Sequence, residues 1–369
     1  MINDKRLQKL QNQISTQGLN GLALVPGPNM LYVSGVNSHL SERPIVLFVP
    51  ATGDPAIIIP TLEAMKAQDA GIPVNRIFGW NDQEGYSSAF QQASENLGLK
   101  EWKLGVEALH MRVIELELLQ QHAPGLRFTH AEPVMDVLRS VKDETEIAAM
   151  ERAVAAAEQG IRSLLPHIKI GMSEKQVAAI LTQELLNAGG ESMAFGPIVA
   201  SGPNSASPHA LPTERSLQEG DLLVIDWGVY VDGYPSDITR TFAVGEIDAE
   251  LKQIYEIVRA SNEQGKLAAK PGASGQDVDR AARKVINDAG YGEYFFHRTG
   301  HGLGLEVHET PNMVEGNLEP LRPGNVFTVE PGIYLSGRGG VRIEDNLLVT
   351  GDGSRSLTTF SRELFTVGL

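Results

Sequence analysis

The chain has 369 residues, a length that suggests two domains, and 42% of them are hydrophobic, enough to build a core. It has no cysteine, which excludes disulfides, thiolate metal sites and cysteine catalysis and fits a reducing, cytoplasmic compartment. Its formal charge of −15 counts against nucleic acid and anionic membranes as partners, and no apolar run is long enough for a transmembrane helix.

The polar start, MINDKRLQKLQNQIS, lacks the apolar centre of a signal peptide, and residues 5–16 predict a helix. GLALVPGPNMLYVSGV (21–36) predicts two short strands around a Pro-Gly break, and residues 44–59 a hairpin turning at Gly53-Asp54. Helices are predicted over 61–70 and 113–121. The alternation is an α/β pattern, and it holds no catalytic constellation. A Pro-containing connection near 131–140 marks a domain boundary, and an Ala- and Glu-rich helix is predicted from about 143 to 165.

Beyond that helix the chain repeats itself. GMSEKQVAAILTQELLNAGG (171–190) aligns with GASGQDVDRAARKVINDAGY (272–291) at a constant offset of 101. Each unit opens at N-cap spacing, Ser173 with Gln176 and Ser274 with Asp277, and each closes on a glycine suited to a C-cap. The repeat continues into strands: GDLLVIDWGVYVDG (220–233) aligns with GNVFTVEPGIYLSG (324–337). Asp226 falls on Glu330, Gly228 on Gly332 and Tyr230 on Tyr334. Two apolar strands thus carry an acid at the same place, where a buried strand ordinarily carries none.

Taking Asp232-Gly233 as a type I′ turn pairs Val231 with Tyr234, Gly228 with Asp237 and Asp226 with Thr239. Asp226 and Asp237 then share a face as diagonal neighbours, with Cα atoms about 7–8 Å apart. Pro235 is the residue that would shift this register through a bulge. A second hairpin offers Glu330 and Glu344, with the loop 336–340 absorbing the longer separation. Arg342 shares the face of Glu344, and Asp345 points the other way. Four carboxylates buried together are costly without compensation, and two divalent cations supply it.

HRTGHGLGLEVHETPN (297–312) places three histidines nearby, and Gly300, Gly302 and Gly304 around His301 let backbone approach a site closely. An imidazole beside these carboxylates is a candidate fifth ligand. The HET at 308–310 is not the zincin helix motif, because no second histidine follows at i+4 and Pro311 opposes a helix. His209 lies in the loop SGPNSASPHALPT; His39, His110, His122, His130 and His167 read as ordinary polar residues.

With IDWG…SDITRT, GHGLGLEVHE, the EPG at 330–332 and RIED at 342–345 in hand, residues 136–369 resemble the pita-bread metallopeptidases, the family of methionine aminopeptidase, aminopeptidase P and prolidase. The preceding part resembles the family's creatinase-like amino-terminal domain, chiefly through PNMLYVSGV (28–36) and the domain order. The resemblance implies an α/β (α+β) chain, with a creatinase-like α/β domain over 1–133 and a pita-bread catalytic domain with an internal pseudo-twofold repeat over 134–369. It implies five ligands for two divalent metal ions, Asp226, Asp237, His301, Glu330 and Glu344, of which Asp237 and Glu344 bridge. It further implies that Glu330 shuttles a proton, that His209 and His308 bind the substrate carbonyl and the developing oxyanion, and that Arg342 orients a bridging carboxylate. Four carboxylates and one imidazole favour Mn²⁺, with Co²⁺ or Zn²⁺ also able to occupy the site.

The implied reaction is hydrolysis of an Xaa-Pro bond by a metal-bridging hydroxide, on a peptide with proline at position 2, by an Xaa-Pro aminopeptidase or dipeptidase that forms a homodimer. Prolidases often carry an arginine just after the HE-x-P element, and this chain has Asn312 there, so dipeptides and longer peptides both stand as substrates. Two other readings stand beside this one: a catalytically silent binding protein on the same scaffold, and a creatinase-type hydrolase working without metal. The intact ligand set counts against both.

Overall fold

Residues 4–368 are described by a computed structural model, and the chain divides between Leu138 and Arg139. The first unit is built on a six-stranded mixed sheet in the order Ile77–Trp80, Ala56–Pro60, Val46–Pro50, Gly21–Leu24, Lys103–Val106, Arg127–His130. The expected hairpin joins Val46–Pro50 to Ala56–Pro60. Helices Asp4–Thr16, Ala64–Asp69 and Val113–His122 lie where the apolar spacing places them. Val46, Phe48, Ile58 and Leu104 pack against Phe90 and Leu119 of the helices Ser87–Leu97 and Val113–His122.

The expectation of two strands over 21–36 is corrected. Only Gly21–Leu24 is a strand, and Pro28–Ser34 is a helix. Leu, Tyr and Val in this stretch suit a strand, but Pro28 sits in the first helical turn, where its missing N–H costs nothing. Gly35, at φ 74°, then closes the helix through a backbone bond to Leu31.

The second unit carries the repeat. Its two helix pairs are Glu144–Leu164 with Glu174–Asn187, and Ala249–Ala268 with Gly275–Asp288. Ser173 and Ser274 both close capping boxes, with Gln176 and Asp277 respectively, and Gly189 and Gly290 both adopt positive φ just past the helix ends. Leu222–Trp227 and Ile238–Val244 pair antiparallel in a four-stranded sheet. Val326–Val329 and Asp345–Val349 pair likewise in a five-stranded one. The two halves are stitched to each other: Glu344 N donates to Thr239 O at 3.1 Å, and Thr241 Oγ1 bonds both the N and the O of Arg342.

Strand alternation decides what faces what. Arg240, next to Thr239, and Asp345, next to Glu344, point to the opposite side and form a buried ion pair at 2.7 Å, with Lys266 on the other Asp345 oxygen at 2.7 Å. Asp345 is therefore structural, as its place in the strand predicts. Burial would raise its carboxyl, but Arg240 and Lys266 outweigh that and hold it below the usual range.

A second buried acid shapes the loop before the first site strand. Glu174 accepts from Ser201 N and Oγ, from Asn204 Nδ2, and from Thr213 N and Oγ1. It thereby ties down both ends of the loop that carries His209. Burial would raise the Glu174 carboxyl; the bonds from Thr213 and Ser201 outweigh it and hold the carboxyl below the ordinary glutamate range. Glu174→Gln sets an N–H among these donors and is expected to cost about 1.5–3 kcal/mol, read from urea midpoints at neutral pH. A depressed folded pKa means the stabilisation is complete above the unfolded value and is lost as pH falls through the folded one. The gap between wild type and variant should therefore narrow in acid; a gap that stays constant would refute the charge-dependent clamp.

Candidate metal centre

The Asp232-Gly233 turn has φ of 51° and 78°, and the pairs Val231–Tyr234, Trp227–Ile238 and Asp226–Thr239 keep one register through it. Pro235 does not shift that register. Ser236 binds back to Val229 through both its N–H and its hydroxyl, between the two paired stretches. In the second hairpin, Val329 pairs with Asp345 and Gly332 with Arg342, which sets Glu330 directly across from Glu344. The turn is Ser336 to Arg338, shorter than the expected loop, because pairing resumes at Gly339. The wider spacing of the glutamates thus has two sources, a direct rather than diagonal placement and one extra turn residue.

Asp237, His301 and Glu344 each offer a ligand atom, all within 4.8 Å of one another and all buried. His301 Nε2 lies 3.6 Å from Asp237 Oδ2 and 3.4 Å from Glu330 Oε1. Its Nδ1 sits 3.1 Å from the Gly302 carbonyl, which can only accept, so Nε2 presents its lone pair to the carboxylates. Burial, with His308 beside it, pushes the imidazole down to about 3 and keeps it neutral. Asp226 joins the group through Arg342, whose Nη2 donates to its Oδ2 at 2.7 Å. The other oxygen, Oδ1, is buried without any hydrogen-bond partner among the described residues.

The acids are in conflict as they stand. Burial first, then Glu344, Asp226 and Glu330, push Asp237 well above the carboxylate range. Burial, Glu330 and Asp226 do the same to Glu344, and burial and Asp226 carry Glu330 up to about 7 against the opposing Arg342. An unpartnered buried oxygen, a neutral imidazole with its lone pair turned inward and three carboxylates resisting ionisation together fit divalent cations.

Arg342 differs in detail from its expected role. It touches Asp226 directly and reaches Glu344 only through Thr239, to which its Nε donates at 3.1 Å while the Thr239 hydroxyl donates to Glu344 Oε2 at 2.7 Å. Its Nη1 also holds the Pro208 carbonyl and the Tyr334 hydroxyl, each at 3.1 Å. Tyr334 in turn lies 2.9 Å from His297 Nε2, while His297 Nδ1 bonds the Arg298 carbonyl at 2.7 Å. Burial lowers His297 to about 4, so it accepts from Tyr334 rather than competing with Arg342 as a cation.

His209 and His308 are both exposed. His308 crosses the edge of His301 with ring centroids 4.2 Å apart, and His209 follows the Pro208 carbonyl pinned by Arg342. The glycines around His301 serve neighbouring protein rather than an approach to the site. A Cβ on Gly300 would overlap the Thr328 carbonyl, and one on Gly304 the Glu309 carboxylate. Glu309, directly after His308, is held by Lys142 at 2.6 Å and by Arg139.

Thr239, Tyr334, His297 and Glu309 escaped the sequence reading. Tyr334 carried a signal, since the repeat matches it to Tyr230. Asp279, which fixes Thr299 through its N–H and hydroxyl just before His301, carried none.

Residues 148–351 match the model of metallopeptidase family M24, and residues 6–141 match the Creatinase/Prolidase N-terminal domain. The chain is 36% identical to an Xaa-Pro dipeptidase of Pyrococcus horikoshii, across 98% of this chain and 99% of that one. The crystal structure of a recombinant prolidase from Thermococcus sibiricus superposes with a TM-score of 0.94 at 35% identity, covering all of both chains. An X-Pro aminopeptidase from Thermotoga maritima does so with a TM-score of 0.86 at 30% identity, again over both full chains.

The charge conflict yields a measurement. In protein stripped of metal, Asp237→Asn removes an acid whose ionisation burial and its neighbours oppose, and is expected to raise the melting midpoint, by about 2–4 °C for each kcal/mol relieved. Mn²⁺ should raise the midpoint of the wild type and leave the variant unmoved. Melting curves with chelator and with Mn²⁺ test both; a wild type indifferent to Mn²⁺ would remove the metal centre.

Proposed function

The chain belongs to metallopeptidase family M24, and from that premise we propose that it is a metallo-exopeptidase hydrolysing the Xaa-Pro bond of dipeptides or of peptides with proline at position 2. The observation that carries the proposal is the convergence of Asp237, His301 and Glu344 within 4.8 Å, His301 in a strand and the two acids each directly before one, from both halves of the repeat. The Xaa-Pro dipeptidase and the prolidase that the chain matches along their whole length support the substrate class.

In this reading Asp226, Asp237, His301, Glu330 and Glu344 would hold two divalent cations, and the oxygen-rich set favours Mn²⁺ over Co²⁺ or Zn²⁺. When bound, the cations supply Lewis acidity and lower the pKa of water. The remaining work belongs to side chains of this protein. Glu330 takes the proton of the attacking water and delivers it to the leaving proline nitrogen. His308 and His209 bind the substrate carbonyl and the negative charge that develops on its oxygen. Arg342 fixes Asp226 directly and Glu344 through Thr239, so neither carboxylate can swing away from its ligand position. A homodimer in the cytoplasm belongs to the same proposal, resting on the family resemblance and on the cysteine-free composition.

Metal-stripped protein should regain cleavage of Ala-Pro on addition of Mn²⁺ and should spare Ala-Ala. His308→Ala is expected to lower kcat about 100- to 1000-fold with metal content unchanged. Absence of Mn²⁺-dependent cleavage of any Xaa-Pro bond would sink the proposal.

A further inference from the structure

His308 closes an irregular segment, 303–308, that joins the strands Gly300–Gly302 and Glu309–Met313. The histidine is exposed, and among the described residues its ring makes no hydrogen bond; it meets the edge of His301. The chain on either side of it is gripped instead. Arg139 pairs with Glu306, two residues before His308, at 2.8 Å, and with Glu309, the residue after it. Lys142 Nζ takes the other Glu309 oxygen at 2.6 Å. The side chains of Arg139, Lys142 and Glu309 are each more than nine-tenths buried. Gly304 closes on the same carboxylate, with no room for a Cβ between them.

The two cations are themselves anchored away from this segment. Lys142 N donates to Gly324 O at 2.8 Å, Val141 bridges to Asn325, and Asn325 Nδ2 donates to Ser140 O at 2.8 Å. Residues 139–142 are therefore tied to the turn before Val326–Val329, the strand that pairs with Asp345–Val349 beside Glu344. The clamp and the metal-directed acids share one frame. Two acids against two bases leave the cluster without net charge. Burial would lower the Arg139 guanidinium, but Glu309 and Glu306 outweigh it. A buried ion pair adds little net stability over apolar packing of the same shape, so what this one contributes is geometry.

We propose that Arg139 and Lys142, acting through Glu306 and Glu309, are positioning residues that hold His308 where the oxyanion of the reaction develops. The inference rests on the peptidase reading and deepens it. A donor stabilises developing charge best when it is already in place as the charge appears. An exposed imidazole on an irregular segment would otherwise have to be ordered in every turnover, at a cost in rate. One guanidinium spanning Glu306 and Glu309 fixes the backbone of His308 from both sides and leaves the ring itself free to meet the substrate.

The test is a cycle on the Mn²⁺-loaded enzyme with Ala-Pro: wild type, Arg139→Met, His308→Ala and the double variant. Arg139→Met should lower kcat about 10- to 100-fold, with KM within a few fold and metal content unchanged. In the His308→Ala background the same substitution should change kcat by less than about twofold, because the residue it positions is gone. Arg139→Lys, whose single ammonium can hold Glu309 but not Glu306 as well, should fall between wild type and Arg139→Met. Lys142→Met, which leaves Glu309 on Arg139, repeats the cycle should Arg139→Met not fold. A second measurement is independent of turnover. With diamagnetic Zn²⁺ in place of Mn²⁺, the His308 ring resonance, identified by its loss in His308→Ala, should shift or broaden in Arg139→Met. Equal loss of kcat in the two backgrounds, or an unchanged His308 resonance, overturns the positioning role and leaves the peptidase reading standing. A wild type that cleaves no Xaa-Pro bond overturns both.

Discussion

Buried carboxylates that repel one another set the terms for the rest of the second unit. Asp226, Asp237, Glu330 and Glu344 come from two hairpins and share one side of their strands. Left as charges in a low-dielectric interior, they would push the hairpins apart or take up protons. The structure instead surrounds them with fixed donors. Arg342 and Thr239 hold Asp226 and Glu344, and Asn346 brackets the backbone of Asp237 through its N–H and its carbonyl. His301 arrives as a neutral lone-pair donor, because the Gly302 carbonyl claims its only proton. Everything aimed at these acids either neutralises them or stops them moving.

The internal repeat makes that possible. Each half fixes, from the helix it repeats, a segment that neighbours the acid-bearing strands. Glu174, at the start of one repeat helix, gathers Ser201, Asn204 and Thr213; Asp279, in the other, gathers Thr299. Behind the acids, Arg240, Asp345 and Lys266 form a second charged layer across the same two strands. Because side chains alternate along a strand, a strand buried on both sides can carry metal-directed acids on one face and a locking ion pair on the other. Glu344 and Asp345 are neighbours in sequence and belong to different networks for this reason.

What was legible in the sequence were features governed by local rules. Strand period, the Asp-Gly turn and the repeat together placed Asp226 and Asp237 on one face and matched Glu330 to Asp226. Capping chemistry marked the helix starts at Ser173 and Ser274. What failed was also local but ambiguous: in MLYV of the segment Pro28–Ser34, side chains suited to a strand were overruled by a proline in the first helical turn and a left-handed glycine after the last. The remainder was invisible because it depends on distant partners. Arg139 and Lys142 meet Glu309 across more than 160 residues of chain, and Arg342 meets Asp226 across 116. No spacing rule connects such pairs; only the closed sheet does.

Near the acids two groups lack a partner of opposite charge, and their signs differ. On one side is Asp226 Oδ1, a buried acceptor with no donor among the described residues. On the other is Arg298, a half-buried cation with a neutral partner. The first asks for a cation, and the second for an anion.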